Sequence, residues 1–195
     1  RDADNALQTA IDMLRALREF NAMRVLLGKA PVEIGLGINT GEVVAGNIGS
    51  LKRMDYTVIG DGVNTASRLE GVTKYYGTRL LISEFTKLKL QQNYQYRLID
   101  SLRVKGKNLP VDVYEVLDYH DASTFPHRDD LLGLYQEGMT HYRNRDWQAG
   151  SRAFAAALTL NPKDDPSALY LKRCQQLLVT PPAADWDGVW TMQSK

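Results

Sequence analysis

"YTVIGDGVNTASRLEG", residues 56–71, carries a β-rich run into Gly-Asp-Gly and out into a helical pattern. Tyr56 to Ile59 read as a strand. Asp61 reads as a helix cap whose carboxylate accepts from the amide of Val63 or Asn64. Asn64 and Arg68 are four residues apart, so they share one face of the helix that follows. Both fall in its first two turns, where free amides and the helix dipole already favour an anion. Spacing alone leaves two readings open. Either Asn64 is a local cap residue and Arg68 is exposed or paired with an acid, or the two donors grip something negative together.

Outward from this stretch the chain alternates strands and helices. Residues 3–27 place Ala6, Leu7, Ala10, Ile11, Leu14, Leu17 and Leu26 near helical spacing, which predicts a long amphipathic helix. "APVEIGLGIN" alternates at Val32, Ile34, Leu36 and Ile38 and predicts a strand, with "TGEVVAGNIG" as its antiparallel partner. "MDYTVIG" is a third strand. The helix after it runs to about Tyr76 and stops at Gly77. "TRLLIS" reads as a short strand and "SEFTKLKLQ" as a helix capped by Ser83. "YQYRLIDSLRVKGKNLPVDVYEVLDY" reads as a hairpin turning around Gly106-Lys107-Asn108. The class is α+β. Composition changes at residues 120–130, read as a linker. Residues 131–180 take a helix-turn-helix rhythm in which Gly138, Tyr142, Trp147, Ala149, Phe154, Ala157, Leu158 and Pro162 resemble the packing positions of a tetratricopeptide repeat. Such repeats stack in threes or more, so a single one must cover its apolar face on another surface. Residues 181–195 form an extended tail with Trp186 and Trp190 as anchors.

Bulk properties narrow the function. The 195 residues are 44% hydrophobic and 24% charged with a net charge of +1, so no global field favours a nucleic acid polymer or an acidic membrane. No apolar run reaches the roughly 18 residues of a membrane span. A single cysteine, Cys174, excludes an internal disulfide and fits a reducing, cytoplasmic setting. The opening "RDADNALQTAIDMLRALREF" lacks a starting Met and reads as the middle of a longer protein. The glycines of "GLGINTGEVVAG" do not lead into a helix with dinucleotide-loop spacing and read as turn and bulge residues. His120, His127 and His141 show no zinc spacing and read as surface or packing residues.

"YTVIGDGVNTASRLEG" resembles the G-[DN]-x-V-N-x-A-[SA]-R pattern of the class III adenylate and guanylate cyclases. "GINTGEVVAGNIGS" is similar to that family's strand-turn-strand block, and "RVKGKNLPVDVYEV" to its closing hairpin. The blocks stand in the family's order and spacing and cover roughly residues 1–118.

The resemblance implies a ferredoxin-like cyclase fold and conversion of ATP to cyclic AMP and pyrophosphate by attack of the ribose 3′-hydroxyl on the α-phosphate. Asn64 then contacts the ribose, and Arg68 binds the α-phosphate as charge accumulates on it. Lys105 holds the terminal phosphates, and Lys52 or Arg53 supplies a further phosphate-binding cation. Thr57 falls at the base-selecting position. Its hydroxyl accepts from adenine's amino group but can also donate to a guanine oxygen. The family uses two Mg²⁺ or Mn²⁺ ions held by two aspartates, in motifs this chain lacks. Asp2 and Asp4 match the helix after those motifs and are not metal ligands. The chain alone is therefore expected to be inactive. The family pairs domains head to tail with shared sites, which implies a homodimer. Guanylate cyclase, or a catalytically dead domain that dimerises or regulates, are the alternatives.

Overall fold

The first helix, α1 (Asp2–Leu26), buries Ala3, Leu7, Ala10, Ile11 and Leu14, the i, i+3, i+4 stripe of a helix lying on a sheet. The stripe ends earlier than its spacing predicts. Leu17 is only half-buried, and Leu26 is 80% exposed beside exposed Phe20 and Met23. The structure, a computed structural model, describes residues 1–50, 53–102 and 110–188, with only the backbone of Arg53.

The main sheet has the order β1-β4-β6-β5. Strand β1 (Leu36–Ile38) runs parallel to β4 (Leu80–Ser83), which pairs antiparallel with β6 (Val111–Val116), itself antiparallel to β5 (Tyr96–Leu102). Helix α2 (Asp61–Tyr76) lies in the β1-to-β4 connection, a crossover of the kind parallel strands require. Every residue of β4 is buried because both faces of the sheet are covered. Leu80 and Ile82 meet α1 together with Val116, while Leu81 meets Leu69, Val72 and Tyr76 of α2 together with Ile99 and Val113. This mixture of layers is the α+β architecture.

Three local expectations need correction. Strand β1 is shorter than 30–39, and its partner is β4. The segment read as its antiparallel mate, β2 (Val44–Ser50), pairs instead with β3 (Arg53–Ile59) in a separate two-stranded sheet. A hairpin to the next segment is the local solution, whereas β1 is claimed by the crossover around α2. The helix read over 83–91 is a single turn, α3 (Glu84–Lys87), with Ser83 Oγ accepting from the Thr86 amide as its cap. The amides of Lys89 and Leu90 already bond three residues back, to Thr86 and Lys87, and the next two, of Gln91 and Gln92, donate to the buried Asp4 carboxylate at 3.0–3.1 Å.

Beyond the sheet come α4 (Arg128–Arg143), α5 (Trp147–Leu160) and α6 (Asp165–Val179). Asp146 and Asp164 cap the last two by accepting from Ala149 and Ser167 amides, and α5 gives way at Asn161, as its Asn-Pro step predicts. Their core joins Tyr135, Met139, Tyr142, Phe154, Tyr170 and Cys174. Phe125, in the turns preceding α4, packs into the same core. Trp186 packs edge-on to Tyr142 and Trp147, while Trp190 lies outside the described residues. No described helix is long and apolar enough to cross a membrane.

Candidate active site

The junction from β3 through Gly60 to α2 presents the donors picked out by spacing. Asn64 and Arg68 are exposed, while Thr65 and Leu69 between and beside them are buried. Helical periodicity thus turns the polar pair outward and uses the intervening residues to seat the helix. Among the described residues neither Asn64 nor Arg68 makes a side-chain hydrogen bond or ion pair: Asn64 is not a cap, and Arg68 is exposed rather than paired with an acid. Thr57 is exposed on β3, opposite Gly46 of β2, on the strand that feeds α2.

Asp61 does not cap the helix. Gly60 holds the N-cap position at φ 146°, ψ 168°, and its carbonyl accepts from the amides of Val63 (3.1 Å) and Asn64 (3.2 Å). That positive φ favours glycine, so the backbone rather than the aspartate satisfies those amides. Asp61 is the first helical residue, where a carboxylate still suits the dipole. The far end closes as its glycine predicts, with Gly77 left-handed at φ 67°.

The glycine-rich block has a role its turn-and-bulge reading missed. A Cβ on Gly37 would lie 2.3 Å from the Glu70 nitrogen and 2.5 Å from the Ala66 oxygen, and one on Gly35 would lie 2.1 Å from Thr73 Oγ1. These glycines let β1 approach α2 to backbone contact and so set the height of the helix that carries Asn64 and Arg68. Asn39, at the end of β1, donates from Nδ2 to the Gly62 carbonyl at 3.0 Å and accepts from Ser83 Oγ at 2.6 Å. Sequence reading passed over it. Its only signal is a polar residue directly after a strand that ends in Gly-Ile.

Lys52 and Lys105 lie outside the described residues, as does the side chain of Arg53. No group of three His, Cys, Asp or Glu side chains comes together as a metal site among the described residues. Asp4 is 4% exposed, and its carboxylate accepts from backbone amides. Among the described residues, then, the donor set does not fit the family's metal ions. The histidines are packing or surface groups. His120 lies against Tyr119 and Phe125, and burial together with Arg128, Arg97 and Arg18 pushes its imidazole down to about 4.

Residues 1–118 match the adenylate and guanylate cyclase catalytic domain family. The chain is 36% identical over 181 residues to the terminal-differentiation-specific adenylate cyclase of Dictyostelium discoideum, covering 91% of this chain and 8% of that protein. It is 44% identical over 122 residues to an adenylate cyclase of Anabaena cylindrica, covering 59% of this chain and 24% of that protein. The crystal structure of the adenylyl cyclase CyaB from P. aeruginosa superposes with a TM-score of 0.52 at 36% identity, covering 59% of this chain and 58% of that one. The chain thus spans a quarter or less of the length of both curated relatives. On the match over residues 1–118, the chain belongs to the adenylate and guanylate cyclase catalytic domain family.

Proposed function

We propose that this chain supplies the nucleotide-recognition and transition-state half of an adenylate cyclase, a lyase that forms cyclic AMP and pyrophosphate from ATP. One observation carries the reading: Asn64 and Arg68 stand exposed and unengaged among the described residues, one turn apart on the first two turns of α2. Asn64 orients the ribose by hydrogen bonding. Arg68 then meets the α-phosphate, where attack of the 3′-oxygen concentrates negative charge. A fixed guanidinium near that charge stabilises the transition state more than the ground state. Thr57 accepts from the adenine amino group. Lys105, with Lys52 or Arg53, neutralises the departing phosphates. The Mg²⁺ or Mn²⁺ ions come with aspartates this chain does not supply, and they would compensate the triphosphate's charge. The chain alone is then inactive, and the intact protein works as a homodimer with each site shared between protomers.

The division into a cyclase part (1–119), a linker (120–130), a tetratricopeptide-like segment (131–180) and a tail (181–195) belongs to the same reading, as does a cytoplasmic location. That both curated relatives are adenylate cyclases supports ATP as the substrate. The Thr57 hydroxyl, able to donate as well as accept, makes GTP the competing substrate.

The test is product formation by the full-length protein that contains this chain, with Mn²⁺ and ATP or GTP in turn. Cyclic AMP should exceed cyclic GMP, and Thr57→Cys should raise the share of cyclic GMP. Absence of both products would reject the cyclase reading in favour of a regulatory domain. A product ratio unmoved by Thr57→Cys would remove Thr57 from base selection.

A further inference from the structure

The helix that carries Asn64 and Arg68 starts on glycines. Its N-cap, Gly60, offers no side chain, and Thr65 Oγ1 is spent inside the helix on the Asp61 carbonyl at 2.8 Å. Among the described residues, one side chain from outside α2 hydrogen-bonds its first turn: Asn39, whose Nδ2 reaches the Gly62 carbonyl at 3.0 Å.

The orientation of that amide is fixed by chemistry. A carbonyl can only accept, so the nitrogen must face Gly62. The Asn39 oxygen then accepts from Ser83 Oγ at 2.6 Å. Ser83 is fully buried, and its hydroxyl oxygen accepts from the Thr86 amide at 3.3 Å. Thr86, also fully buried, donates to the Ile38 carbonyl at 3.3 Å and accepts from Thr40 Oγ1 at 3.1 Å. These bonds tie the end of β1, the cap of α3 and the first turn of α2 into one unit. Buried networks with their partners in place hold a single geometry.

We propose that Asn39 is a positioning residue for the cyclase reaction: it pins the first turn of α2, and with it Asn64 and Arg68, to the end of β1 and the start of α3. This rests on the cyclase reading above. Asn39 touches no substrate and acts through the helix. Asn64 is two residues past its anchor and Arg68 six. Loss of the anchor therefore misplaces donors whose contribution depends on alignment with the reacting phosphate.

The test uses Asn39→Ala and Asn39→Asp in the full-length protein. Aspartate keeps the size and the acceptor for Ser83 but sets an oxygen against the Gly62 carbonyl. Both variants should lower kcat by about tenfold or more, the scale of one hydrogen bond, with a smaller change in KM. Amide hydrogen exchange should speed up in residues 61–66 and stay unchanged in residues 69–76, which Leu69, Val72 and Tyr76 seat in the core. Unchanged kcat with unchanged exchange at 61–66 would overturn the proposal. So would exchange rising evenly along the chain with a matching fall in melting temperature, since that is loss of fold rather than of alignment. An inactive wild-type protein would instead reject the cyclase reading, and the exchange data would still decide whether Asn39 holds the turn.

Discussion

Arg68 is exposed and free of described partners, so its removal should leave stability within about 0.5 kcal/mol. Turnover should tell a different story. Arg68→Ala should lower kcat by a factor of about 10²–10³. Arg68→Lys should not restore it, because an ammonium lacks the planar fork. Equal kcat for the lysine variant and the wild type would reduce the role to simple charge. His120 carries a prediction of the opposite kind, about stability alone. Its folded value lies near 4, against an ordinary 6.5. Between those values the unfolded chain binds a proton that the folded chain refuses, so stability falls as pH drops from 6.5 toward about 4 and is insensitive to this group above that window. Melting temperature against pH should flatten in that window for His120→Phe, and an unchanged slope would contradict it. Asn64 and Arg68 were legible because a spacing of four is itself a statement about a helix face. Asp61 was misread because aspartate is a favoured cap and the sequence does not show that the glycine before it adopts φ 146°.

Helix α2 is set by contact between backbones, and Gly37 is where that can be tested. A methyl there meets the Glu70 nitrogen and the Ala66 oxygen, neither of which can rotate away. Gly37→Ala should destabilise by about 1–3 kcal/mol through overpacking. Gly71, on the exposed side of the same helix, has open space where a methyl would go, with no atom within 4 Å. Gly71→Ala should stabilise by roughly 0.5–1 kcal/mol by helix propensity. Urea denaturation of the pair would contradict the packing account if both substitutions moved stability the same way. The elements themselves were legible where their signals are local: α1 and α2 from period and stop residues, β5 and β6 from alternation. Partners were not. Alternation marks β1 as a strand but does not say that a crossover hands it to β4. Nor do the residues after α3 show that the amides of Gln91 and Gln92 are taken by Asp4, far away in sequence.

The helical segment is joined to the sheet by buried charge. Arg97 of β5 makes a bidentate pair with Asp164 at the start of α6 (2.7 and 2.9 Å) and a second bond to Glu115 of β6 at 2.7 Å. Arg173 of α6 meets Asp100 of β5 at 2.8 Å, and the same carboxylate oxygen accepts from Tyr76 of α2 at 2.8 Å. Breaking such a pair strands a buried charge. Asp164→Ala should therefore lower stability by about 3–5 kcal/mol. A loss below about 1 kcal/mol would mean that the cluster contributes little beyond an ordinary cap. None of this was visible in the sequence, where Arg97, Glu115, Asp164 and Arg173 are ordinary charged residues scattered over 77 positions, the span from 97 to 173 inclusive. On the proposed function, a donor face this open needs a second surface to close it, and the partner protomer supplies the metal-binding aspartates. The most direct measurement is mixed-variant activity in the full-length protein. Arg68→Ala, its rate lowered about 10²–10³-fold, and a variant lacking a metal-binding aspartate should each be far below the wild type alone and regain cyclic AMP synthesis well above that residual rate when combined, because one of the two mixed sites is then intact. A mixture no more active than the separate variants, with the heterodimer shown to form, would contradict the account.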